Sequence, residues 1–176
     1  GRVVSDSMVR QEQSHVKNAL SIAYTRGVIG AITDGRSDLV IPSALSFASS
    51  QKLDNLFIFN AQGQEFAHIL KQPDGTFSNV TQPGHPSMLS VVNDLLKENN
   101  PDSPPKREIA TDLINNHYYY FTSVLIVSED QTVGVAVVGT SLNMLMPMLK
   151  NTSLADVILY DESGHAIAST FDAQDD

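Results

Sequence analysis

Apolar residues Val9, Val16, Ala19, Leu20, Ala23, Val28 and Ile32 recur at spacings of three, four and seven, with Arg10, Glu12, Gln13, Lys17 and Asn18 opposite them. That pattern predicts one amphipathic helix over residues 3–32, ended by Asp34-Gly35. At 1.5 Å per residue it would be on the order of 45 Å long. A helix of that length fits either one side of a bundle or a stalk directed at a membrane or a twin. A second helix is expected over Asp38–Gln51, with Ser37 as its cap and Pro42 near its first turn. Leu56–Phe59 and Gln64–Leu70 flank Asn60-Ala61-Gln62-Gly63 and so form a hairpin. A proline-rich loop follows, then a helix over Pro86–Glu98 and a second loop at Asn99–Lys106. His117–Val127 and Thr132–Thr140 are expected to be strands. The run Val133–Val138 is apolar on both faces and therefore central in its sheet. Ser141 caps a helix over Leu142–Lys150 that contains Pro147, and a final hairpin joins Asp156–Tyr160 to His165–Thr170.

The last hairpin repeats the first. Asp161 and Gly164 stand 101 residues after Asn60 and Gly63. Upstream, Leu154 repeats Leu53, and Leu145 and Leu142 repeat Ala44 and Ile41. A period near 100 residues is that of a domain and not of a solenoid. Residues 1–32 are thus expected to form the N-terminal helix and 33–140 a complete α+β unit. Residues 141–176 would be a connector helix and the opening hairpin of a second, similar unit. The chain begins at Gly1 directly in a helical pattern, which suits a segment cut from a longer protein.

The sequence resembles the Cache family, the PAS-like extracytoplasmic sensor domains of bacterial receptors. Four pieces in order carry the likeness: the N-terminal helix, Leu56-Phe-Ile-Phe-Asn-Ala-Gln-Gly63, Tyr118-Tyr-Tyr-Phe-Thr-Ser-Val124, and Val133-Gly-Val-Ala-Val-Val-Gly-Thr-Ser-Leu142. The closing Ile158-Leu-Tyr-Asp-Glu-Ser-Gly164 is similar to the start of the membrane-proximal half of a double-Cache sensor. The resemblance implies a central antiparallel sheet behind a long N-terminal helix. It also implies a ligand-sensing role outside the cytoplasm, membrane attachment through segments beyond this chain, and homodimers formed through the N-terminal helix. Kinase, cyclase, phosphatase and chemotaxis modules are all compatible outputs. In amino-acid-binding Cache domains an aspartate at the end of the last central strand meets the ligand amine. The matching position here is Thr140, whose neutral hydroxyl cannot make that charge-assisted bond. That leaves a carboxylate, a neutral ligand or no ligand at all.

Composition narrows the chemistry. With 20 acidic and 11 basic residues the net charge is −9, which argues against nucleic acid because phosphate binding needs a basic face. The chain has no cysteine, so disulfides and thiolate chemistry are excluded. No apolar run reaches the roughly 18 residues of a membrane-crossing helix. The five histidines lack metal-ligand spacing, and no nucleophile elbow or phosphate loop occurs. The chain is therefore not read as an enzyme, and no cofactor or metal is expected. Glu108 and Asp112 could share a helix face, with a solvated surface as the ordinary account of such a pair.

Binding remains. Strand alternation puts Tyr118, Tyr120 and Thr122 on one face, where their hydroxyls could line a cavity. Arg107 could pair with a carboxylate ligand, and His68 on its strand could face the same pocket. With Thr140, these six are the candidate ligand-binding residues. The alternative is a cytoplasmic PAS-type module that dimerises or binds a protein partner without a small ligand.

Overall fold

The computed structural model describes residues 2–153 and 156–170. Leu154, expected to repeat Leu53, lies outside these residues, as does the end of the chain after Thr170. The elements run α1 (Arg2–Ala23), α2 (Val28–Thr33), α3 (Ser37–Gln51), β1 (Asn55–Asn60), β2 (Glu65–Lys71), β3 (Phe77–Asn79), α4 (Ser90–Glu98), β4 (Lys106–Thr111), β5 (Tyr118–Ser128), β6 (Gln131–Ser141), α5 (Leu142–Ser153), β7 (Ile158–Tyr160) and β8 (Ala166–Ser169). Six strands form one antiparallel sheet in the order β3-β2-β1-β6-β5-β4. The expected α+β, PAS-like architecture is what the chain adopts. As its apolar run required, β6 lies inside the sheet, between β1 and β5.

The predicted continuous helix over 3–32 is two helices. Gly27 takes a left-handed φ of 89° at the start of α2, a conformation glycine adopts without steric cost. Helix α1 alone is about 33 Å long, and it lies along the sheet instead of leaving it. Ala19, Ile22 and Ala23 are buried against Val124, Ile126 and Val138. The Tyr24 hydroxyl fastens the end of α1 to β5, donating to Val127 O at 3.0 Å and accepting from Val127 N at 3.3 Å. Ser37 does not cap α3; Arg36 holds that position and the Ser37 hydroxyl donates to Phe66 O. Lys106–Thr111, where a helical face was anticipated, is the edge strand β4.

Alternation gives the sheet two working faces. Leu56, Ile58, Ala67, Ile69, Ala136 and Val138 pack under α1, α2 and α3. Phe57, Phe59, Tyr119, Phe121, Val135 and Val137 face the other way, toward α4. Glu108 on β4 accepts a hydrogen bond from Val91 N and so caps the first turn of α4 from a neighbouring strand.

The two hairpins match bond for bond. Asn60 Oδ1 accepts from Gln62 N and Gln64 N, and Asp161 Oδ1 accepts from Ser163 N and His165 N. The pairing irregularity falls at Ile58/Phe59 in one and Leu159/Tyr160 in the other. The second hairpin forms its own two-stranded sheet. It rests on Leu145, Leu149 and Tyr120, with Val4 and Met8 of α1 packed against the same cluster.

At the sheet centre a Cβ on Gly134 would sit 2.1 Å from Phe59 O, a backbone atom that cannot step aside, whereas Gly30 on α2 has nothing within 4 Å. Gly134→Ala is expected to lower the unfolding free energy by about 2 kcal/mol. Gly30→Ala should leave it unchanged or raise it by roughly 0.5 kcal/mol. Urea titration of both variants checks the contrast.

Candidate functional site

The face away from α1 holds a small, partly open cavity of about 50 Å³. Phe57, Phe59, Phe121 and Leu89 supply its apolar wall, and Glu65, His68 and Asp112 its ionisable one. These three are among the most buried polar groups of the chain, at 6%, 2% and 2% exposure. Strand pairing places them: Glu65 and His68 on β2 stand opposite Phe59 and Phe57 on β1. The His68 ring stacks on Phe57, centroids 3.7 Å apart and planes 15° from parallel.

Asp112, just past the end of β4, is the hub. Its Oδ2 accepts from His68 Nε2 at 2.7 Å and from Asn55 Nδ2 at 2.8 Å, and its Oδ1 accepts from Ile114 N at 2.8 Å. Burial alone would push this carboxyl up. The hydrogen bond and charge of His68 outweigh that, with help from Asn55 and the Ile114 amide, and Asp112 sits below the usual carboxylate range. Asn55 is fully buried, and its own amide oxygen has no partner among the described residues. Turning that amide over would set its oxygen against the Asp112 carboxylate, so the orphan is the lesser cost.

Because Nε2 of His68 donates to Asp112, its Nδ1 looks back at Glu65, whose Oε1 is 4.0 Å away. The other Glu65 oxygen accepts from Gln82 N. Among the described residues Oε1 takes no hydrogen bond. Burial raises the Glu65 pKa, against the lowering effect of the Gln82 amide and of His68. The mouth of the cavity is apolar: Met88, Leu113 and Ile114 are 65%, 64% and 44% exposed. They sit on the two loops that frame it.

Of the six candidate residues, only His68 lines this cavity. Thr122 and Thr140 lie on the opposite face, where both hydroxyls are taken by α1. His15 Nδ1 is 3.0 Å from Thr122 Oγ1, His15 Nε2 is 2.7 Å from Thr140 Oγ1, and Gln11 Nε2 donates to Thr140 Oγ1 at 2.7 Å. Tyr120 and Arg107 share that face in an open groove beside α1. There Arg107 pairs with Glu12 at 2.8 Å, and the Tyr120 hydroxyl is buried without a partner among the described residues. Burial, first of all, and the nearby Glu12 push the Tyr120 pKa up to about 12. Tyr118 faces α5 and β8. The six do not form one pocket, because residues two apart on β5 share the face that α1 covers. Thr140 therefore says nothing about the charge a ligand meets in the cavity, and the argument from it against an amine does not hold.

Sequence reasoning missed Asp112, Glu65 and Asn55. Asp112 was placed on a helical surface, but the chain there is a strand ending in a turn, with Asp112 N donating to His117 O and Asn116 N to Asp112 O. The available signal was alternation within β2, which puts His68 and the phenylalanines of β1 on one face.

No protein-family model matches the chain, and neither does any curated protein. Solved structures do. The ligand-binding domain of the Campylobacter jejuni chemoreceptor Tlp3, in complex with 4-methylisoleucine, is similar at TM-score 0.67 and 16% identity, over 96% of this chain and 64% of that one. The extracellular domain of vpHK1S-Z8, described as a histidine kinase, is similar at TM-score 0.69 and 14% identity, over 97% and 66%. The Escherichia coli DcuS sensor domain is similar at TM-score 0.62 and 11% identity, over 86% of this chain and 99% of that one. The chain thus spans about two thirds of the first two and nearly the whole of the third. At such identities the likeness is one of architecture: this chain has the fold of bacterial chemoreceptor and histidine-kinase sensor domains.

Proposed function

We propose that the chain is an extracytoplasmic sensor domain of a bacterial membrane receptor and binds a small molecule in the cavity between β1, β2, β5 and the loops before α4 and after β4. The carrying observation is the cavity itself, with three buried ionisable groups turned toward an apolar space. Such an arrangement is costly for a core and ordinary for a binding site. The architecture shared with Tlp3, vpHK1S-Z8 and DcuS supports the receptor reading over a cytoplasmic interaction module. Residues 141–176 are read as the opening of a second unit, supported by the bond-for-bond repeat of the hairpin. Exposed Val3, Val9 and Leu20 on α1, with Tyr24 just past its end, support pairing of two copies through that helix.

Occupancy would reach α1 through β5, where neighbours on opposite faces do different work. Phe121 lines the cavity and Thr122 holds His15. A ligand tips such an equilibrium only through its different affinity for the two states. A cavity of about 50 Å³ admits a head group, while whole-ligand pockets are roughly 300–1,000 Å³, so the framing loops open to admit the rest.

The test is a thermal-shift screen of small metabolites on the native domain and on Leu89→Trp, which fills the cavity wall. At least one chemical class is expected to raise the native Tm by several degrees and to leave the variant's Tm in place. A panel without any shift, or shifts that survive the filled cavity, would remove the site. The location is checked separately: alkaline phosphatase fused to the receptor in place of this domain should be active, as it is only outside the cytoplasm.

A further inference from the structure

The charge of the cavity wall specifies the ligand further; the step rests on the cavity being the sensing site. Glu65 and Asp112 both line it, and among the described residues the only basic side chains that do so are His68 and His85. None of the described lysines or arginines lines it. An incoming carboxylate would meet two carboxylates at low dielectric with no fixed cation to receive it, a like-charge contact that rejects it. We propose that the site takes an organic primary ammonium with an apolar tail and without a carboxylate of its own.

The geometry gives the head group its place. His68 donates through Nε2 to Asp112 and turns its Nδ1 toward Glu65 Oε1, 4.0 Å away. Among the described residues that carboxylate oxygen takes no hydrogen bond, the other Glu65 oxygen being held by Gln82 N. One ammonium nitrogen about 2.9 Å from Oε1 would donate to it, and its charge would answer the buried Glu65 carboxylate, whose side chain is 7% exposed. Asp112 is not the primary contact, because three donors already occupy it. It orients the His68 ring, as a positioning residue. The tail then runs along Phe57 and Phe121 toward Met88, Leu113 and Ile114, whose exposure at the mouth a tail would reduce. A zwitterionic amino acid fits poorly: its carboxylate would follow the amine into an apolar channel.

The experiment compares four probes of one shape on the native domain by calorimetry at pH 7.5: 2-phenylethylamine, phenylalanine, 3-phenylpropionate and 2-phenylethanol. The amine is expected to bind at least tenfold more tightly than each of the others. Glu65→Gln, which keeps the shape and removes the charge, is expected to weaken the amine by roughly tenfold to a hundredfold and to leave the alcohol unchanged. Preference for phenylpropionate or phenylalanine would overturn the ammonium assignment and leave the sensing site intact. Unchanged amine affinity in Glu65→Gln would overturn the assigned head-group position. Silence from all four probes and from the wider metabolite panel would overturn both the assignment and the site. The comparison among probes is made on the native protein, so it decides even if the variant folds poorly.

Discussion

Asp112→Ala is expected to cost about 3–5 kcal/mol of unfolding free energy, as removal of one partner from a buried charged pair does. Three donors lose their acceptor at once: His68 Nε2, Asn55 Nδ2 and Ile114 N. Two of them belong to side chains at or below 2% exposure, and water cannot replace the carboxylate without opening the cavity. Asp112→Asn should cost roughly half as much, since its oxygen still takes the Ile114 amide while its NH₂ faces the Asn55 donor. Urea unfolding measures both, and an unchanged m-value identifies the loss as one of stability. A cost below about 1 kcal/mol for Asp112→Ala would mean that the network is not closed in solution. The pH sign is fixed by the lowered pKa of Asp112. Its contribution is present above the ordinary value near 3.8 and is lost as pH falls through the still lower folded value.

That network also explains where reading the sequence stopped. The strands, the first hairpin and its repeat were legible because they depend on local signals. Alternation marks β5, an unbroken apolar run marks β6, and an Asn or Asp three residues before a glycine marks each turn. The site depends on pairs that the chain brings together from far away. His68 and Asp112 are 44 residues apart, and Asn55 and Asp112 are 57 apart. No spacing rule connects such residues. The error over Lys106–Thr111 came from reading Glu108 and Asp112 as a helical pair. On a strand four residues is an even step, and the chain turns out of the strand before the second of them.

The face of α1 was read only in part for a related reason. The apolar stripe from Val9 to Leu20 suggested which side packs, yet Val9 and Leu20 are 46% and 37% exposed while His15 is 2% exposed. The buried residues are Ser7, His15, Ala19, Ile22 and Ala23, with two polar residues at the head. A histidine is welcome there because β5 and β6 present Thr122 and Thr140 side by side beneath it. Only the pairing of those strands, Thr122 opposite Val138 and Tyr120 opposite Thr140, creates that polar spot. Hydrophobic periodicity was therefore right about helix and right for Val16, Ala19, Ala23, Val28 and Ile32, and it missed the break at Gly27, the exposure of Val9 and Leu20 and the burial of His15.

His15 is expected to make the fold acid-sensitive in a defined window. Burial holds its pKa down at about 4, against 6.5 for a free imidazole. The hydrogen bonds agree with a neutral ring: Thr140 donates to Nε2 and Nδ1–H donates to Thr122, so a second ring proton would meet the Gln11 amide, 3.2 Å from Nε2. Below pH 6.5 the unfolded chain binds a proton that the folded one refuses. Stability therefore falls as pH drops from 6.5 toward 4, by about 3 kcal/mol over the full interval at 1.36 kcal/mol per pKa unit. Glu65 and Glu108 act in the opposite sense. Burial raises both pKa values, so their protonation favours the fold, and the gain is lost as pH rises through their folded values. The total pH profile mixes the two, whereas the difference between the native domain and His15→Gln isolates the histidine. That variant keeps a hydrogen-bonding side chain and does not titrate. Its stability relative to the native domain should rise by about 3 kcal/mol between pH 7 and pH 4, measured by urea titration at each pH. A difference that stays flat across the window would mean that His15 is reached by water in solution and that α1 does not seal this face of the sheet.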